Sequence, residues 1–179
     1  MEENKVVNKV ANNENQYLLN RKLKVLIADD EKEMVDDILL NIDKENEDYE
    51  IVGYALSNEE ERQKIEELKP DVVITDIFRG HFGNKNTGGY DIIKEYSEKY
   101  FVPKFIVLSY TPEFNADNIV GRYEKYPSID YDRMKKELHL IKITERSSFM
   151  QGYVERKKKE EEKVEKKVTF LDKLKFLFQ

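Results

Sequence analysis

From Leu23 onward the chain alternates short apolar runs with longer stretches in which apolar residues return every three or four positions. Nearly continuous Val, Ile and Leu runs suit strands covered on both faces, and the helical recurrence between them suits crossover helices. Strands are predicted at Leu23 to Ala28, Tyr49 to Ala55, Val72 to Thr75, Phe105 to Ser109 and Leu138 to Lys142. Met34, Val35, Ile38, Leu39 and Ile42 share one face of a first helix. Ser57 followed by Glu60 has the form of a capping box, opening a second helix that buries Ile65 and Leu68 and stops before Pro70. Tyr90, Ile93 and Tyr96 mark a third. The stretch from Thr111 to Glu137 holds Pro112 and Pro127 and reads as irregular or broken helix. Strands alternating with helices in this way predict an α/β domain with a parallel, doubly wound sheet.

The flanks differ in character. Residues 1–22 are rich in Asn, Glu and Lys, with too little apolar surface to offset the entropy of ordering, and are expected to form a flexible arm. Beyond residue 145 the helical pattern continues, with Lys157 and Glu161, Lys158 and Glu162, and Glu162 and Lys166 spaced to pair along a solvated face. Phe170, Leu171, Leu174, Leu177 and Phe178 then form an apolar face that needs cover, by the domain, a second copy through residues 168–178, another protein or a membrane interface; at about three turns it is short for membrane binding alone, and protein contact is expected. The predicted organisation is an arm at 1–22, a domain at 23–150 and a charged helical tail at 151–179. After that domain too few residues remain for a DNA-binding helix-turn-helix unit.

Charge narrows the partners. The formal net charge is -6, divided as +3 over residues 145–179 and -9 over residues 1–144, so the main body repels nucleic acid and welcomes cations. No cysteine is present, which excludes disulfides, a thiolate nucleophile and Cys-ligated metal; two histidines do not make a His-based metal site. No apolar run approaches the roughly 18 residues of a membrane span and no secretory signal pattern opens the chain, so a cytoplasmic protein without membrane attachment is expected.

In an open parallel sheet, ligands bind where the carboxyl ends of the strands meet loops and helix N-termini. The predicted strand ends supply Asp29, Asp30 and Glu31, then Thr75 and Asp76, then Ser109, then Lys142. Three crowded aspartates repel at neutral pH unless a cation sits among them; magnesium suits, because it accepts one or two carboxylates and keeps sites for water and phosphate. An aspartate beside such an ion can attack phosphorus to form an acyl phosphate, with a hydroxyl and an ammonium on the phosphoryl oxygens. Each residue also has an ordinary reading: Asp29 and Asp30 as a helix N-terminus, Ser109 and Lys142 as solvated strand ends.

The segments KVLIADDE, PDVVITDIF, FIVLSY and LHLIK, in that order, resemble the receiver domains of two-component response regulators, a flavodoxin-like (βα)5 family. The resemblance covers about residues 23–150. It implies that Asp76 is the phosphoacceptor, Asp30 a direct magnesium ligand, Asp29 a ligand through water, Ser109 and Lys142 the phosphate-contacting pair, and the backbone carbonyl of Phe78 a further metal ligand. It implies a phosphodonor that is a sensor histidine kinase, a phosphotransfer protein or a small acyl phosphate, and output by protein contact rather than turnover. The loop after Asp76 is longer than the family's turn, so Arg79, His81 and Lys85 are expected to overhang the pocket. His139 stands three residues before Lys142, where the family carries a switching aromatic, and Ile143 stands where it carries proline. A rival reading is a receiver-like scaffold that no longer uses phosphate and acts through its C-terminal helix. An aspartate-nucleophile phosphohydrolase would need an acid at position 78, where Phe78 stands.

Overall fold

The computed structural model describes residues 20–79, 88–99, 101–109, 116–125, 128–148, 151 and 155. Residues 20–142 form one compact unit. The other unit is residues 1–19 and 143–179; the apolar face at 168–178 and residues 1–19 of the expected arm lie outside the described residues, whereas the end of that arm belongs to the first unit, Arg21 pairing with Asp71 at 2.7 Å.

Five strands make one sheet: β1 (Leu23–Ala28), β2 (Tyr49–Ala55), β3 (Val72–Asp76), β4 (Lys104–Ser109) and β5 (Ile119–Glu124), in the order β2-β1-β3-β4-β5. Every neighbouring pair is parallel. Four helices accompany them among the described residues: α1 (Lys32–Asn41), α2 (Asn58–Leu68), α3 (Gly88–Ser97) and α4, residues 131–148. Val35, Ile38 and Ile42 at α1, and Met134, Leu138 and Ile141 of α4, pack with Val25, Ile27 and Ile74 on one face of the sheet. Ile65 of α2 and Ile92, Ile93 and Tyr96 of α3 pack with Leu26, Val73 and Phe105 on the other. Cover on both faces explains why the central strands lack polar alternation. The architecture is the flavodoxin-like doubly wound sheet, with its change of direction between β1 and β3.

Local signals explain the helix ends. Ser57 Oγ accepts from the Glu60 N–H at 3.2 Å, and the Glu60 carboxylate accepts from the Leu56 N–H at 2.9 Å, closing both sides of the cap on α2. Lys69 ends that helix in the left-handed region at φ 47°, just before Pro70.

The last strand is a correction. The predicted strand from Leu138 to Lys142 lies inside α4, and β5 is IVGRYE, within the stretch read as broken helix. Met134, Leu138 and Ile141 are buried, whereas Leu140 is 61% exposed, a helical spacing rather than strand alternation. Tyr123 of β5 donates its hydroxyl to Glu137 of α4 at 2.6 Å, tying the two together. Lys142 is therefore on a helix flank and not at a strand end. His139, half-exposed on the same helix, contacts Asp48 through Nδ1 at 2.6 Å.

Candidate functional site

The carboxyl ends of β1 and β3 lie side by side, since Ala28 pairs with Thr75. The residues that follow them, Asp29 and Asp76, are 0% and 2% exposed; Asp30 is exposed. One ligand atom from each of Asp29, Asp30 and Asp76 lies within 4.8 Å of the others. Asp29 Oδ1 accepts from the Glu31 N–H at 3.0 Å, a local turn ahead of α1, whose own N-cap Glu31 makes no side-chain cap.

The lysine of this site is Lys125, the residue after β5. Its Nζ lies 2.9 Å from Asp29 Oδ2 and 2.8 Å from Asp76 Oδ2, and its side chain is 1% exposed. Parallel pairing brings it there: Ser109 aligns with Glu124, and the Lys125 N–H donates to the Ser109 carbonyl at 3.3 Å. Ser109 closes β4 at the same rim, 3% exposed. Lys142 lies within α4 and not at a strand end, so the lysine expected beside these aspartates from LHLIK is Lys125 instead. With it, the residue three positions earlier becomes Arg122 in place of His139, and a proline, Pro127, follows two positions later.

Electrostatics separate the two partners. Burial raises Asp76 to about 6, against the pull of Lys125 and with a further push from Asp29. For Lys125 burial acts downward, but Asp29 and Asp76 more than offset it and hold the ammonium above its ordinary value. Lys125 cancels one of three nearby negative charges. An all-oxygen, acid-rich donor set of this kind fits a hard divalent ion such as magnesium.

The segment after Asp76 is anchored. Ile77 N–H donates to the Leu108 carbonyl at 3.3 Å, and Phe78 N–H donates to Asp76 Oδ1 at 3.1 Å. Arg79 does not overhang the pocket: it is 3% exposed and turned inward onto Glu61, Thr75, Asn58 and the Ala28 carbonyl. Burial pushes Glu61 upward while Arg79 opposes the shift. His81 and Lys85 lie outside the described residues. The start of α3 comes close, for a Cβ on Gly89 would stand 2.0 Å from the Asp76 carbonyl oxygen. Only glycine fits there without displacing one backbone or the other.

A parallel sheet in this order with an acid pair after the first strand, an aspartate closing the third and a lysine after the fifth defines a doubly wound protein with an acidic rim whose three carboxylates could hold a metal ion. No family model matches the sequence. Solved structures do match: the response regulator PhyR from Brucella abortus at a TM-score of 0.58 and 20% identity, over 77% of this chain and 56% of that one. The REC domain of AraT, a response regulator from Geobacillus stearothermophilus, matches at 0.54 and 23% identity, over 72% of this chain and 98% of that one. The response regulator domain of Thermotoga maritima CheB matches at 0.50 and 25% identity, over 73% of this chain and 98% of that one. The chain has the fold of response regulator receiver domains. It spans about half the length of PhyR and nearly all of the isolated AraT and CheB domains. No helix among the described residues is long and apolar enough to cross a membrane.

Proposed function

We propose that the chain is a phosphoryl-accepting receiver: Asp76 takes a phosphoryl group in a magnesium-dependent reaction, and the modified domain signals by contact with another protein. The observation that carries this is the shared pocket of Asp29, Asp30 and Asp76 closed by Lys125. Asp30, Asp76 and the Phe78 carbonyl would hold the ion, with Asp29 contributing through water. When bound, magnesium would supply the positive charge that lets three carboxylates and a phosphoryl group share one site.

A carboxylate oxygen of Asp76 attacks phosphorus of an acyl phosphate or phosphohistidine. The P–O or P–N bond to the donor breaks, and the donor leaves with the electron pair. Lys125 would neutralise the transferred oxygens and Ser109 would donate a hydrogen bond to them. Donors by this chemistry are a sensor histidine kinase, a phosphotransfer protein or a small acyl phosphate, and the chain itself performs no turnover beyond gaining and losing the group. Incubation with acetyl phosphate and magnesium should add one phosphate to the native protein and none to Asp76→Asn, read by intact mass. Labelling that persists without magnesium or in Asp76→Asn defeats the proposal and leaves the phosphate-independent scaffold as the better account.

A further inference from the structure

We propose that Arg79 is a positioning residue for the acid pocket, its buried guanidinium pinning residues 77–79 to the ends of β1 and β3 and to α2. This rests on the phosphoacceptor reading above and adds a residue and a role to it.

An interior arginine is costly unless its charge is paired and its donors are used. Here Nη1 donates to Asn58 Oδ1 at 2.7 Å, while Nη2 donates to Thr75 Oγ1 at 2.8 Å, to the Ala28 carbonyl at 3.4 Å and to Glu61. Two of these acceptors belong to the residues immediately before Asp29 and Asp76. Thr75 passes the contact on, its hydroxyl donating to the Asp76 carbonyl at 3.3 Å. Asn58 passes it to α3, because a Cβ on Gly88 would stand 1.8 Å from Asn58 Nδ2. The guanidinium therefore ties together β1, β3 and α2, and approaches α3 through Asn58.

Stability alone does not call for this arrangement. A buried ion pair replaced by apolar groups of similar size is often as stable or more so. What the planar fork provides, and a methionine cannot, is direction toward several acceptors at once. Phe78 lies between two fixed points, its own N–H on Asp76 Oδ1 and the anchored Arg79, so the orientation of its carbonyl depends on both.

The test compares the native protein with Arg79→Met/Glu61→Leu, which removes both charges together, and with Arg79→Lys, which keeps the charge without the fork. Amide exchange at Ile77 and Phe78 is measured in metal-free protein, and magnesium affinity by titration calorimetry. Both variants should fold, exchange at these two amides about tenfold faster and bind magnesium roughly tenfold more weakly. Unchanged exchange in a folded variant overturns the proposal whether or not magnesium binds. Faster exchange with an unchanged magnesium constant also overturns it, since the anchor then has no effect on the pocket. If the native protein takes up no magnesium while the variants exchange faster, the pinning stands and the phosphoacceptor reading falls. Should the double variant not fold, Arg79→Lys carries both measurements.

Discussion

The proposed attack on phosphorus requires Asp76 as a carboxylate, yet it is 2% exposed and burial raises it to about 6 from 3.8. Because the folded value exceeds the unfolded one, metal-free protein gains from protonation at this site. That contribution is fully present below the unfolded value and is lost as pH rises through about 6. Asp76→Asn, neutral at every pH, should therefore be more stable than the native protein at neutral pH, by up to ~3 kcal/mol, with the gap closing in acid. Thermal denaturation across pH without magnesium checks this; a gap that widens in acid contradicts it. Lys125 and Lys142 can be told apart at the same scale. Lys125→Met should slow acetyl phosphate labelling by roughly a hundredfold, as removal of a preorganised charge does. Lys142→Met should leave the rate unchanged. Asp29, Asp30, Asp76 and Ser109 were readable because each ends an apolar run that could only be a strand. Arg79 was not, since arginine is ordinarily exposed and its acceptors are distant in the chain.

Elements were legible where burial was two-sided. β1, β3 and β4 appear as apolar runs because helices cover both faces; β2 and β5 stand at the sheet's borders, β2 still readable through Ile51 and Val52, but β5 carrying Gly121, Arg122 and Glu124 in its six residues. The segment LHLIK looked more strand-like than the true strand. Its period decides the matter only when Met134 is counted with Leu138 and Ile141, which places the buried set on one face of a helix. Leu138→Ala, at 0% exposure, should cost about 2 to 5 kcal/mol, whereas Leu140→Ala, at 61%, should change stability by less than about 0.5 kcal/mol. Urea denaturation separates these; equal costs would contradict the helical placement. Gly89→Ala should also destabilise, because its methyl would collide with the Asp76 carbonyl, and it should disturb labelling as well as melting.

Over the whole molecule, the acid rim is assembled from chain segments separated by up to ninety-six residues, from Asp29 to Lys125. An unfolded chain has no such cluster, so a divalent ion should bind the native state alone and stabilise it by mass action, by ~2.7 kcal/mol at a hundred times the dissociation constant. Differential scanning calorimetry should show the midpoint rising with magnesium in the native protein and much less in Asp30→Asn. An equal rise in both would assign the ion elsewhere.

The lysine that closes the rim follows β5, which stands at one end of the strand order and is bonded within the sheet to β4. A border strand can fray while the central strands keep their ladders. When it does, Asp29 and Asp76 lose their shared counter-charge without the domain unfolding. Under the proposed function, a small local opening at this hem of the sheet would strip the acid pocket of its counter-charge well before heat or denaturant reached the interior.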